Sequence, residues 1–285
     1  MNEQVVICPN FYRDDGFKEA LLIHDVLQAE GIPSAVYPLF ISLNTPEVQR
    51  LLERVPLAQS LESARLLIAI GGDGTVLFLA RRSMEYQIPV IGVNLGDKGF
   101  LAELDGTDMA PLIAAARGDF RESHRMMLDV QLVRNGEVVY EDTALNDVVL
   151  KSVHNCIAVT TKIRNEVTNR FCGDGIIVAT PTGSTGYSLS AGGPIVEPEA
   201  ENMVITPLAA HLLSAKAFVV SGNREVEITA DRVRGRPTVI SVDGNDAIDF
   251  LSGDELIVRK SQHETIIADM QLRPFYERML DILSR

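Results

Sequence analysis

Apolar residues in the first 119 positions of the chain follow two alternating patterns. Short apolar runs of three to five residues predict buried strands, and between them apolar residues recur at helical spacing. One predicted helical face carries Phe17, Ala20 and Leu27 and ends at Gly31. This alternation predicts an α/β domain with a parallel sheet, in which ligands bind at the carboxyl ends of the strands. The predicted strands are residues 5–8, 35–37, 66–70 and 90–93, and the predicted helices begin near residues 17, 48, 75 and 109.

After about residue 120 the pattern changes to the alternation of polar and apolar residues that is typical of half-buried strands. Leu128, Val130 and Leu132 alternate with polar neighbours, and Asn135-Gly136 is a two-residue hairpin turn. Many short strands without long helices predict an all-β, sandwich-like second domain. Further predicted strands are 138–140, 176–179, 226–230, 238–242, 255–258 and 265–268, and a last helix is predicted from residue 275.

Composition and charge limit the classes of partner. The chain has 285 residues, of which 46% are hydrophobic, so sizeable cores are expected. A net charge of −13 argues against a nucleic-acid partner, since such proteins usually carry a basic face. No apolar run approaches the roughly 20 residues that cross a bilayer, and the first residues lack the basic start of a secretory signal. We therefore expect no membrane partner and a cytoplasmic location.

The run at residues 64–70 stops abruptly at Gly71-Gly72-Asp73-Gly74-Thr75, after which helical spacing resumes. A strand, a glycine turn and a helix start form a phosphate-binding geometry, because glycine lets the backbone approach a ligand and helix N-termini favour anions. Asp73 is unexpected there, since its charge repels phosphate. Either the carboxylate holds a metal ion or takes a proton from a hydroxyl, or Asp73 or Thr75 simply caps the helix.

Other site chemistries do not match the sequence. A dinucleotide fingerprint with Gly72 and Gly74 as its first two glycines requires a third at Leu77, and there is no G-K-[ST] phosphate loop. A nucleophile elbow at Ser184 requires glycine where Thr182 stands. The five histidines have no ligand spacing, and the three cysteines are far apart, so the sequence indicates neither a set of metal-binding side chains nor a disulfide framework.

The segment 180–194 is rich in small and hydroxyl residues and reads as a surface of backbone donors. Such clusters are usually solvated turns, but Tyr187 offers a face on which a base can stack. Asn146-Asp147 is either a turn or a pair of ligands for a ribose diol, in which the amide donates and the carboxylate accepts. Asp174 precedes the predicted strand 176–179, where a plain turn role is the alternative.

Four segments, in the same order, carry a resemblance to the NAD kinase family. The chain has GGDGT at 71–75, NLGDKGFL at 94–101, ALNDVV at 144–149 and TPTGSTGYSLSAGGP at 180–194. These are similar to that family's glycine-acid loop, its N-x-G-x-x-G-F-L motif, its asparagine-acid motif and its TPTGSTAY…SAGGP run. SVDGN at 241–245 resembles a fifth motif, with Asn245 in place of glutamine. Lys98, Asp147 and Cys172 depart from the family pattern.

The resemblance implies phosphorylation of the 2′-hydroxyl of the adenosine ribose of NAD, with ATP and Mg²⁺ or another divalent cation. It implies Asp73 as general base and also as an NAD contact. Phosphate would bind at Gly71, Gly72, Gly74 and Thr75. Further NAD contacts would be Gly74, Phe100, Asn146, Asp147, Asp174, Thr185, Tyr187, Ser190 and Asn245.

The family also implies a domain arrangement and an assembly. The last helix would pack back on the first domain, giving an α/β domain of residues 1–119 plus 270–285 and a β-sandwich domain of residues 120–269, with the site between them. Similar proteins form homodimers or homotetramers in which a neighbour completes the pocket, and Asn245 and the region of His211 are candidate subunit contacts. Two alternatives stay open at this point, a lipid kinase of the same superfamily and a non-catalytic nucleotide-binding regulator.

Overall fold

The chain folds into two compact units. The computed structural model describes residues 4–96, 99–106, 108–211, 215–231 and 235–284. One unit, here called the α/β unit, comprises Met1–His124 and Thr265–Arg285, and the other, the β unit, comprises Arg125–Glu264. Within the described residues, no helix is long and apolar enough to cross a membrane.

The α/β unit is built on parallel strands, as the alternating pattern predicts. Its strands are β1 (Gln4–Pro9), β2 (Ser34–Val36), β3 (Ala64–Gly71), β4 (Val90–Asn94) and β5 (Leu104–Asp105). They lie in the order β2-β1-β3-β4-β5. Nearly every residue of the three central strands is buried, which explains their continuous apolar runs.

Four helices lie between these strands or follow them: α1 (Lys18–Ala29), α2 (Pro46–Leu52), α3 (Asp73–Ser83) and α4 (Met109–Ala116). Local chemistry sets their ends. The Asp14 carboxylate accepts the N–H groups of Glu19 and Ala20, both at 3.0 Å, and so satisfies two donors at the start of α1. Gly31, at φ +70°, follows the end of α1. α3 begins at Asp73, two residues before its predicted start, because the glycine turn itself forms the first helical turn.

The β unit contains two antiparallel groups of strands. The first sheet has the order β13-β12-β11-β8-β15-β16, and the second group includes β10-β9-β14-β17 and the hairpin β6-β7. The bounds are β6 (Arg121–Arg134), β7 (Glu137–Ala144), β8 (Asp147–Ser152), β9 (Ile157–Ile163), β10 (Glu166–Gly173), β11 (Gly175–Ala179), β12 (Asn202–Leu208), β13 (Phe218–Ser221), β14 (Val226–Asp231), β15 (Thr238–Val242), β16 (Ile248–Asp249) and β17 (Glu255–Asp269), with a short helix α5 (Tyr187–Ser190) after β11.

Alternate residues of both groups share one core, which makes the β unit a sandwich. Leu128, Val130 and Leu132 of β6 meet inward residues of β8 and β14, such as Leu150 and Ile228. All five side chains are fully buried. The predicted fold class, an α/β domain followed by an all-β sandwich-like domain, is therefore confirmed.

One predicted break between strands is wrong. Residues 255–258 and 265–268 were expected as two strands, but β17 is continuous from Glu255 to Asp269. Its first half pairs antiparallel with β14, and Ile267 pairs with Val90 of β4 in parallel. β17 also pairs with β6, so strand pairing and not an apolar pattern keeps this long segment extended.

The last helix, α6 (Phe275–Leu283), belongs to the α/β unit, as the resemblance implies. Arg278 lies 3.3 Å from the Glu103 carboxylate, and this ion pair is mostly buried. The Phe275 ring lies 6.4 Å from the ring of Phe100, centroid to centroid. The helix therefore packs beside the loop that follows β4.

Candidate active site

The Asp73 carboxylate is held by backbone groups of the loop after β4. It accepts the N–H groups of three consecutive residues: Phe100 at 2.7 Å, Leu101 at 3.0 Å and Ala102 at 2.9 Å. The cap of α3 is Gly72, and no side chain caps that helix. The simple capping role for Asp73 is therefore wrong, since its carboxylate bonds a loop 27 to 29 residues away in the sequence.

The second glycine of the segment 94–101, Gly99, allows this arrangement. A Cβ atom at Gly99 would overlap the oxygens and Cγ of the Asp73 carboxylate. Asp97 and Lys98 lie outside the described residues. The loop can therefore approach Asp73 only because residue 99 has no side chain.

Thr75 has a structural role beside the glycine turn. Its hydroxyl is buried and accepts a hydrogen bond from the Asn10 amide at 2.9 Å, and its own N–H donates to the Gly72 carbonyl at 2.8 Å. Gly71 is also buried, and a Cβ there would overlap the Thr75 hydroxyl. Of the four residues predicted to bind phosphate, Gly74 is the exposed one and Gly72 is half-buried. Asn10 was not predicted, because a lone asparagine after a strand carries no motif.

The Asp243 carboxylate in the β unit is held by backbone N–H groups in the same way as the Asp73 carboxylate. Asp243 accepts the N–H groups of Leu145 at 2.8 Å, Asn146 at 2.8 Å and Asp147 at 2.9 Å. Its own N–H donates to the Asp147 carbonyl at 2.9 Å. The SVDGN motif therefore holds the asparagine-acid motif through its backbone, a role that the sequence analysis did not assign to Asp243.

Asn146 also contacts the start of the hydroxyl-rich segment. Its carbonyl accepts the Thr180 N–H at 2.9 Å, and a Cβ at Gly183 would overlap that carbonyl. Its side-chain Oδ1 is buried with no hydrogen-bond partner. An oriented amide with an unused acceptor suits it to receive a hydroxyl or amino group from a ligand.

The hydroxyl residues of the segment 180–194 divide into two groups. Thr180, Ser184 and Ser188 are fully buried and bonded within the β unit, Ser184 to the Pro181 carbonyl at 2.6 Å and Ser188 to the Thr206 hydroxyl at 2.8 Å. The predicted contacts are the accessible ones. Thr185 is half-buried, Tyr187 is 46% exposed and Ser190 is exposed.

Asp174 lies apart from the asparagine-acid motif. Strand β11 pairs with β8 so that Gly175 faces Lys151 and Ala179 faces Asp147. Asp174 precedes β11, so the two acids lie at opposite ends of the strand, roughly 16 Å apart at 3.3 Å per residue. Asn245 instead follows β15 at the end where Val242 pairs with Val148, and thus lies near Asp147. The described part of the β unit brings Asn146, Asp147 and Asn245 to one end and leaves Asp174 at the other.

Asp147 lies in an environment that disfavours its charge. The residue is 6% exposed, and burial together with the charge of Asp243 raises its pKa to about 7.

Within the described residues, no cluster of three or more histidine, cysteine or acidic side chains is arranged to hold a metal ion.

This shift predicts a pH-dependent stability. A buried acid whose pKa is raised holds a proton in the folded state between about pH 4 and pH 7, where the unfolded chain has lost it, so the free energy of unfolding falls as pH rises through that window. The loss should approach about 1.4 kcal/mol per pH unit. Urea unfolding at several pH values should show this slope in the wild type and a flatter one in Asp147→Asn. Equal slopes would contradict the assignment.

Removing the acceptor that holds the asparagine-acid motif should also destabilise the fold. Asp243→Ala leaves three N–H donors without an acceptor, whereas Asp243→Asn keeps the oxygen that serves Asn146 and Asp147. We expect Ala to lower the free energy of unfolding by about 3 kcal/mol or more and Asn by about half as much. The nearby exposed Asp246→Asn is the control for urea unfolding. A value for Asp243→Ala within about 0.5 kcal/mol of the wild type would exclude this role.

Comparisons with known proteins agree with the motifs. Residues 41–117 match the model of the ATP-NAD kinase N-terminal domain, and residues 145–270 match that of the ATP-NAD kinase C-terminal domain. The NAD kinase of Natranaerobius thermophilus is 38% identical over 226 residues, which cover 78% of this chain and 79% of the relative. The NAD kinase of Acetivibrio thermocellus is 31% identical over 278 residues, covering 96% and 94%.

Solved structures show the same fold. A yeast NADH kinase complexed with NADH superposes with a TM-score of 0.83 at 24% identity, covering 99% of this chain and 87% of that one. An NAD kinase from Archaeoglobus fulgidus in complex with ATP gives a TM-score of 0.73 at 23% identity, covering 99% and 98%. With two matching domain models and relatives above 30% identity over most of their length, the chain belongs to the NAD kinase family of enzymes, which phosphorylate NAD.

Proposed function

We propose that this enzyme transfers the γ-phosphoryl group of ATP to the 2′-hydroxyl of the adenosine ribose of NAD, with Asp73 as the general base. The observation that carries the proposal is the anchored Asp73 carboxylate at the start of α3. A carboxylate has about four acceptor positions, and three of them receive N–H groups. The remaining position is free to take a proton, and the three bonds fix its direction.

The transfer moves one proton and one phosphoryl group. The proton of the 2′-hydroxyl passes to Asp73, the hydroxyl oxygen bonds to the γ-phosphorus, and the bond to the ADP oxygen breaks. Such reactions depend mainly on alignment and charge neutralisation. Gly72 and Gly74, at the N-terminus of α3, are placed to donate backbone N–H groups to the phosphates. Thr75 stabilises this turn, since its hydroxyl accepts a hydrogen bond from Asn10 and its N–H donates to the Gly72 carbonyl.

A divalent cation fits as part of the substrate, carried in on ATP. Mg²⁺ usually binds through one or two carboxylates, substrate phosphates and water, not through a full cage of protein ligands. The cation would offset negative charge on the phosphates.

The dinucleotide contacts that the motifs predict are part of the proposal. The orphaned Asn146 amide oxygen and the Asp147 carboxyl would hold the acceptor ribose, with Asn245 at the same end of the β unit. Phe100, Thr185, Tyr187 and Ser190 would shape the pocket, and all four keep accessible surface.

Asp174 fits best as a contact to the dinucleotide of a second copy, because it lies at the far end of β11 from Asp147. The His211 N–H bonds the Cys172 carbonyl at 2.8 Å, so His211 lies beside Asp174. We propose that this end of the β unit contacts a second subunit in a homodimer or homotetramer.

A coupled assay tests the reaction. Purified protein with NAD, ATP and Mg²⁺ should form NADP, read through an NADP-specific dehydrogenase. Replacing NAD with diacylglycerol or sphingosine tests the lipid-kinase alternative, and NAD binding without NADP formation would indicate a regulator. No NADP from NAD and no NADPH from NADH, across ATP and polyphosphate as donors, would refute the proposal.

A further inference from the structure

Arg13 carries a positive charge to the end of the sheet where the glycine turn lies. It follows strand β1, and its N–H bonds the Asn10 carbonyl at 2.9 Å, which forms a tight turn. Its side chain extends towards Gly96 in the loop that follows β4. The Nη1 atom lies 4.0 Å from the point where a Cβ of Gly96 would stand.

The order of the strands shows what the Arg13 side chain crosses. β3 lies between β1 and β4, Pro9 pairs with Ile70 and Gly71 pairs with Asn94. A side chain that starts after β1 and ends beside Gly96, after β4, therefore passes the carboxyl end of β3. β1 and β4 are two strand spacings apart, which amounts to about 10 Å. The Leu95 N–H bonds the Gly71 carbonyl at 2.8 Å, so the loop at Gly96 also lies close to that end.

The end of β3 is where Gly71, Gly72 and Asp73 leave the sheet. The Arg13 guanidinium thus lies near the carboxyl end of β3, where the turn proposed to bind phosphate begins. Arg13 is exposed, and among the described residues it forms no ion pair with a carboxylate.

A guanidinium supplies what the glycine turn lacks. Backbone N–H groups give only partial charges, and Asp73 adds a full negative charge beside the phosphates. Arginine presents several N–H donors in a planar fork that matches two phosphate oxygens at once. Its position over the turn would offset the repulsion between Asp73 and the donor nucleotide.

We propose that Arg13 binds the phosphate chain of the donor nucleotide and so positions the γ-phosphoryl group before the glycine turn. The inference rests on the proposed function and adds a residue that none of the family motifs contains. It concerns donor binding and leaves the acceptor site unchanged.

The test compares Arg13→Met, which removes the charge but keeps much of the length, with Arg13→Lys. We expect Met to raise KM for ATP ten- to a hundredfold, as the loss of a charged hydrogen bond does. KM for NAD should change less than twofold, and Lys should recover part of the loss. Arg50→Met on α2, whose guanidinium pairs with Glu47 on the surface, is the matched control.

Calorimetric titration separates this proposal from the proposed function. ATP should bind Arg13→Met more weakly than wild type, and AMP should bind both alike. If the wild type makes NADP and Arg13→Met keeps its affinity for ATP, the inference is overturned while the proposed function stands. If Asp97→Asn, in the loop after β4, reproduces the loss in Arg13→Met, Arg13 acts through that loop and not on the nucleotide, and the inference is likewise overturned. A wild type that binds ATP but makes no NADP refutes the proposed function alone.

Discussion

Replacing Asp73 with asparagine is expected to lower kcat by about a hundred- to ten-thousand-fold, the usual contribution of a positioned base. The affinity for NAD should change little, because the amide keeps the size of the side chain. Steady-state kinetics and NAD titration measure the two quantities. Asp105→Asn, at an exposed acid on β5 in the same unit, is the control and should keep wild-type turnover.

Asp73 also holds the loop after β4, so a second variant, Asp73→Ala, is needed to separate its proposed role as a base from its role as an anchor of that loop. Asparagine keeps one oxygen for the N–H groups of Leu101 and Ala102 but turns an amide donor towards the N–H of Phe100. Alanine loses all three acceptors. If Asp73 is the base, both variants lose similar activity, while alanine is the less stable protein. If Asp73 is only an anchor, the loss of kcat should follow the loss of stability, and asparagine should retain much of the activity.

Gly99→Ala should have the second-largest effect. The added Cβ would occupy the place of the Asp73 carboxylate, which three hydrogen bonds hold still. Either the carboxylate or the loop must move, and displacement of a catalytic group by about 1 Å can cost a hundredfold in rate. We expect kcat to fall by that order, measured with saturating ATP and NAD.

Gly106→Ala is the matched control for Gly99→Ala. Its Cβ would also meet a carboxylate, that of Glu19, at 3.0 Å. Glu19 Oε1, however, has no hydrogen-bond partner, so its side chain can rotate away. We expect near-normal kcat in Gly106→Ala, and equal losses in both variants would show that steric damage in this region, not displacement of Asp73, lowers the rate.

The sequence predicted the elements of the fold well where one signal dominated. The buried run at residues 66–70, the glycines and the helical spacing after them together define the unit β3-turn-α3. The alternation around the Asn135-Gly136 turn likewise defined the hairpin β6-β7. Less clear signals were missed. The hairpin β9-β10 turns at Arg164 and Asn165, both at positive φ, and this two-residue turn contains no glycine.

The sequence predicted the residues of the candidate site better than the hydrogen bonds that position them. The sequence pointed to Asp73, Asn146 and Asp147 as residue types, but not to the backbone groups that orient them. Asp73 is bound by a loop 27 to 29 residues later, and Asp243 binds residues 96 to 98 positions earlier. Such pairings depend on strand order, which periodicity does not encode. For the same reason, the separation of Asp174 from Asp147 became visible only through the register of β11.

The central claim is that the anchored Asp73 carboxylate takes the proton from the ribose hydroxyl that receives phosphate. A crystal structure of the protein with NAD and a non-hydrolysable ATP analogue tests it directly. We predict one Asp73 oxygen within about 3.2 Å of the 2′-oxygen, with the three backbone hydrogen bonds still made. A 2′-oxygen bound elsewhere, with no Asp73 oxygen within hydrogen-bonding reach, would contradict the account.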